Sequence, residues 1–151
     1  DRAYRSVELR VLVLLAAMLP LGIALESSGA ARGFVTGVMT LLPADPIVAL
    51  AVVYALTAIL TEFVTNNATA VLMTPIAIAL ATQLGVSPTP FIAAVAFAAS
   101  TSFSTPIGYQ TNSMVYNAGG YAFRDFIRVG VPLNVLFWIA SVIVIPRVFP
   151  F

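Results

Sequence analysis

The chain has 151 residues, of which 60% are hydrophobic and 9% charged, with a mean hydropathy of +1.01 and a net charge of +1. An ordinary globular domain carries about a quarter charged residues; here no charge separates Glu62 from Arg124, which excludes a normal water-facing surface and points to an integral membrane protein. The absence of Cys and His excludes thiolate zinc sites, disulfides and Ser-His nucleophile pairs, there is no glycine-rich phosphate loop, and the basic residues, all arginine, form no nucleic-acid patch.

Residues 1–10 (DRAYRSVELR) are polar and carry Arg2, Arg5 and Arg10, as a membrane-flanking segment does. No Met or leader pattern opens the sequence, so it reads as a piece of a longer chain. Residues 9–26 form the first apolar run, long enough to cross a bilayer and containing a tolerated Pro20. The next helix, 29–42, differs: Arg32, Thr36 and Thr40 share one face, and its length of about 21 Å falls short of a span. It is expected to lie in the interface.

After Asp45-Pro46 come two apolar stretches, 47–64 and one ending at Leu84, separated by the polar cluster Thr65-Asn66-Asn67-Ala68-Thr69. The loop 85–90 leads into a short apolar helix over 91–103, which is interrupted by a second polar cluster, 104–112. A further short helix ends at Gly119-Gly120, Arg124, Asp125 and Arg128 make a polar turn, and residues 129–146 form the last span. With the N-terminal end cytoplasmic and 29–42 lying flat, Arg2, Arg5, Arg10, Arg124 and Arg128 fall inside, against Arg32 and Arg147 outside, as the positive-inside rule prefers.

The two polar clusters are the informative features. Backbone that leaves helical geometry at membrane depth must be buried in protein or line a cavity, and a pair of Pro/Gly-interrupted apolar segments marks a transporter's midplane site. Both clusters are dense in hydroxyls and amides and carry no charge. Oxygens of this kind hold a small cation, and half-helix N-termini hold an anion. Two plainer readings stand beside this one: 65–69 as a surface turn between two full spans, and 104–112 as a packing kink. Glu62, the one acid in the apolar region, reads either as a support holding the hairpin closed or as a proton site.

Thr61-Glu62-Phe63-Val64-Thr65-Asn66-Asn67-Ala68-Thr69-Ala70 resembles the Ser-Asn-Thr hairpin of the divalent-anion:sodium symporter (DASS) family of the ion transporter superfamily. Ser104-Thr105-Pro106-Ile107-Gly108 with Asn112 resembles that family's broken-helix motif, and the segment from Gly120-Tyr121 through Asp125-Phe126 to Gly130 is similar to its C-terminal end. The resemblance implies an all-α membrane protein, half of an inverted-repeat elevator transporter. Residues 1–28 would supply the flank and scaffold helix, 29–45 the interfacial connecting helix, and 46–151 half of the transport domain. That half would comprise a re-entrant hairpin (47–84), a broken helix (91–118) and a last helix (127–149).

The resemblance further implies sodium as coupling ion, bound by Thr61, the Val64 carbonyl, Asn66 and the Ser104 carbonyl. A small divalent anion, sulfate or a dicarboxylate, would touch Thr65, Asn66, Asn67, Thr105 and Pro106, with Gly108 and Asn112 shaping the second loop. No other cofactor and no catalytic residue is expected. Partners would be the lipid bilayer, the first-repeat half and a second copy in a homodimer, located in the plasma membrane (the inner membrane of a bacterium). Asn67 stands where the family usually has Thr, and Tyr109-Gln110-Thr111 departs from the sequence common in dicarboxylate carriers. The rival readings are a proton-coupled or efflux carrier of the same superfamily and a structural or regulatory membrane module.

Overall fold

The computed structural model describes residues 45–151 continuously, with Pro20, Ala24, 27–29, Gly33, Thr36 and Gly37 before them. The expected scaffold helix (9–26) and interfacial helix (29–42) lie outside the continuously described residues. Five helices follow: α1 (Pro46–Thr61), α2 (Asn66–Leu84), α3 (Thr89–Ala99), α4 (Gln110–Gly119) and α5 (Phe123–Val148). There is no strand among the described residues.

Each boundary has a local cause. Asp45 opens α1 by accepting hydrogen bonds from the Ile47 and Val48 amides at 2.7 and 3.3 Å, and Pro46 occupies the first turn, where no amide is needed. Thr65 caps α2 through the Ala68 amide. Gly85, at φ 72°, ends α2 in a left-handed residue, with the Val86 amide bonded back to the Ala81 carbonyl at 3.0 Å.

α1 and α2 are joined by only four residues, 62–65, and pack on α3. Leu50, Tyr54, Leu80, Phe91 and Val95 fill the space between them. Ala77, Ala81, Ala94 and Ala98 are wholly buried, and such small side chains let helix backbones approach closely. α5 lies against α1 and α3, burying only Gly130 and Ile145 completely. Most of its other apolar residues, including Val131, Leu136, Ile139 and Val144, are exposed. Among the described residues α2 and α5 are long and apolar enough to cross a membrane, while α1 and α3 are shorter.

Three boundaries differ from expectation. The first break is 62–65, because Asn66-Asn67-Ala68-Thr69 already form the first turn of α2 behind the Thr65 cap. The second break begins at Ser100 and ends at Tyr109, because the Ser100 and Thr101 amides bond to carbonyls three residues back and close α3 at Ala99. Gln110, Thr111 and Asn112 belong to α4. Arg124, Asp125 and Arg128 are helical and not a turn: α5 starts at Phe123, and Asp125 reaches back to the Ala122 amide at 2.9 Å, a carboxylate at the favourable end of the helix dipole.

Candidate functional site

The C-terminus of α1 runs into the second break. The last carbonyls of a helix lack partners within it, and here hydroxyls of the break supply them: Ser102 Oγ donates to the Thr61 carbonyl at 3.3 Å and Thr105 Oγ1 to the Glu62 carbonyl at 2.8 Å. Gly108 makes the approach possible. A Cβ there would lie 2.0 Å from Ser102 Oγ and 2.7 Å from the Thr61 carbonyl. The first turn of α4 fixes the loop from its other side, with Asn112 Nδ2 donating to the Ser102 and Thr105 carbonyls at 2.8 and 3.1 Å and Ser113 Oγ to the Pro106 carbonyl.

Thr61 is wholly buried at the meeting point of three helices. Its Oγ1 stands 2.9 Å from the Ala99 carbonyl at the end of α3 and 2.9 Å from Asn66 Oδ1 at the start of α2. One hydroxyl proton serves one acceptor at a time, so three neutral oxygens converge with a single hydrogen among them. Such an arrangement can hold a small hard cation.

Glu62 is 6% exposed. Its Oε1 accepts from the Phe103 amide at 3.1 Å, the Ser104 amide at 2.9 Å and Asn134 Nδ2 at 2.7 Å. These bonds engage donors that the break would otherwise leave without partners. Asn134 also donates to Ser104 Oγ at 2.8 Å. Glu62 Oε2 and Asn134 Oδ1 are buried with no partner among the described residues.

The sequence-predicted residues thus fall into two groups. Thr61, Glu62, Asn66, Ser104, Thr105, Gly108 and Asn112 meet at the junction of tip and break, with the Thr105 hydroxyl turned inward and Pro106 buried beside it. Val64, Thr65 and Asn67 are exposed on the tip, and no described hydrogen bond joins their side chains to the break. The N-terminal turns of α2 and α4 both border this junction, and the described hydrogen bonds there involve no basic side chain. Sequence reasoning missed the Ala99 carbonyl, Ser102, Ser113, Gly130 and Asn134. Asn134 carried a usable signal: a lone amide in an apolar span is expected to face the bundle interior.

Known proteins align with this chain. A family model described as citrate transporter matches residues 1–88 and 63–151. An uncharacterized transporter of Synechocystis is 43% identical over 156 residues, covering 97% of this chain and 24% of that protein. Sodium/sulfate cotransporter 2 of Chlamydomonas reinhardtii is 35% identical over 144 residues, covering 93% and 16%. A sodium-dependent dicarboxylate transporter of Staphylococcus aureus is 30% identical over 90 residues, covering 60% and 17%. The chain spans about a quarter or less of the length of these relatives. All are transporters by name.

Proposed function

The chain belongs to the citrate transporter family, integral membrane proteins, and from that footing we propose that it forms part of a sodium-coupled symporter of a small divalent anion, sulfate or a dicarboxylate. The observation that carries this reading is the oxygen cluster of Thr61 Oγ1, Asn66 Oδ1 and the Ala99 carbonyl, set at the first turn of α2. Sodium takes these oxygens together with the Val64 and Ser104 carbonyls. The anion takes the donors of exposed Thr65 and Asn67 and half-buried Asn66 on the tip and the backbone at Thr105 and Pro106. Glu62, engaged by donors from two other elements, acts as a fixed support and not as a relay.

The mechanism follows from charge. An anion alone is costly to carry through hydrocarbon. Sodium bound first draws the tip and break together and offsets the anion's charge, so that the loaded unit can move. In this reading 46–151 is half of a mobile transport domain, with 47–84 a re-entrant hairpin, 1–28 scaffold and 29–45 an interfacial connection. Its counterpart is a first repeat, the assembly is a homodimer in the plasma membrane, and the N-terminal end of the segment is cytoplasmic. Two relatives named for sodium-dependent sulfate and dicarboxylate transport support the substrate class.

The test is uptake of labelled sulfate and labelled succinate by liposomes holding the full-length protein, with sodium or choline outside. Sodium-dependent uptake of either anion, abolished by Asn66→Ala, is the expected result. Uptake driven by a pH gradient and indifferent to sodium would replace this reading with proton coupling.

A further inference from the structure

α5 presents one stripe to the second break. Gly130, Asn134 and Phe137 follow one another at helical spacing; Gly130 lies on both Phe103 and Ser104, Asn134 reaches Ser104, and Phe137 packs on Phe103. A Cβ on Gly130 would lie 2.2 Å from the Phe103 carbonyl oxygen and 2.6 Å from Ser104 Cα. Asn134 Nδ2 donates to Ser104 Oγ and to Glu62 Oε1 at 2.8 and 2.7 Å. The Phe137 ring stands 5.5 Å from that of Phe103. Glu62 in turn accepts the Phe103 and Ser104 amides. The break is therefore held from two sides, by the hairpin tip and by α5, and Asn134 is the side chain that touches both.

The oxygen cluster straddles this same seam. Thr61 and Asn66 belong to the tip, and the Ala99 carbonyl lies at the end of α3 where the break departs. Its spacing depends on how the break is seated against the tip. We infer that Gly130 and Asn134 are positioning residues for the coupling cation: the last helix sets the distance between tip and break and thereby the affinity for sodium, without contributing a ligand. The inference rests on the sodium-coupled reading. Asn134 acts through Glu62 and Ser104, and Gly130 acts by allowing the helix backbone to lie directly on the Phe103-Ser104 peptide.

The experiment titrates the melting temperature of the purified full-length protein with sodium chloride, choline chloride keeping ionic strength constant. Asn134→Ser removes the bridging amide, and Gly130→Ala pushes the Phe103-Ser104 peptide away from α5 by steric overlap. Trp138→Phe removes a hydrogen bond that α5 makes elsewhere, from Trp138 Nε1 to the Ala51 carbonyl at 2.9 Å. Both seam variants are expected to need about fivefold more sodium or higher for half of the thermal shift, the equivalent of a typical hydrogen bond. Trp138→Phe is expected to lower the melting temperature without moving the sodium midpoint. A merely structural role lowers the baseline in all three and leaves the midpoint alone. Should one seam variant fail to fold, the other carries the test, because the two alter the seam by different chemistry. Unchanged midpoints beside a sodium-responsive wild type would overturn the inference alone, whereas a wild type that ignores sodium would overturn the sodium reading beneath it.

Discussion

Glu62 Oε1 lies 2.9 Å from the Ser104 amide, 42 residues further along the chain. This bond turns two separate polar interruptions into one junction. Each alone exposes helix-end groups that hydrocarbon cannot satisfy; docked together, the carboxylate takes amides of the break, and hydroxyls of the break take the last carbonyls of α1.

Glu62→Gln keeps an oxygen for the Phe103 and Ser104 amides, whereas Glu62→Ala strands both. Each buried donor left unpaired costs about 1–3 kcal/mol, so Ala is expected to lower the melting temperature of the full-length protein well below that of Gln. Gln is also expected to retain sodium-dependent uptake. Its complete loss in a well-folded Gln variant would point to a proton role.

Gly108→Ala forces a methyl group onto Ser102 Oγ and the Thr61 carbonyl. Overpacking of this kind costs about 1–3 kcal/mol, and here it opens the seam between tip and break. Uptake is expected to fall at least roughly tenfold, the rate equivalent of about 1.4 kcal/mol. Transport assays at saturating sodium check this, with a native melting curve to confirm folding.

Asn67 is exposed on the tip and engaged in no described contact with the break. Replacing it with Thr shortens the side chain and removes an amide donor from the face proposed to meet the anion. The expected outcome is a higher ratio of succinate to sulfate uptake with an unchanged sodium midpoint.

Asp45→Ala removes the cap that receives the Ile47 and Val48 amides. The expected loss is about 1 kcal/mol of stability. The cap stands at the opposite end of α1 from Thr61, so uptake kinetics should be unaffected. Thermal unfolding and uptake measured on the same preparation separate the two.

The elements that follow from apolar runs were legible in the sequence. Asp45-Pro46 and Gly85 bound the helical hairpin because caps act locally, and the Asn66 and Ser104 regions stood out as polar groups where few belong. The start of the second break was not legible. Ser100, Thr101, Ser102 and Phe103 are compatible with a helix; what unwinds them is distant, namely the Glu62 carboxylate, the Thr61 carbonyl and the close approach of Gly108. The reverse occurred at Arg124-Asp125-Arg128, where charge suggested a turn, but no helix breaker intervenes and Asp125 closes the first turn. Asn134 was passed over because periodicity describes its helix correctly and says nothing of what lies opposite.

The distance in sequence between Glu62 and Asn134 has a consequence for biogenesis. The pair is 72 residues apart, and at a synthesis rate of 5–20 residues per second the acid waits roughly 4–14 s for its amide partner to emerge. During that interval the nascent chain carries an acidic side chain whose full set of partners does not yet exist.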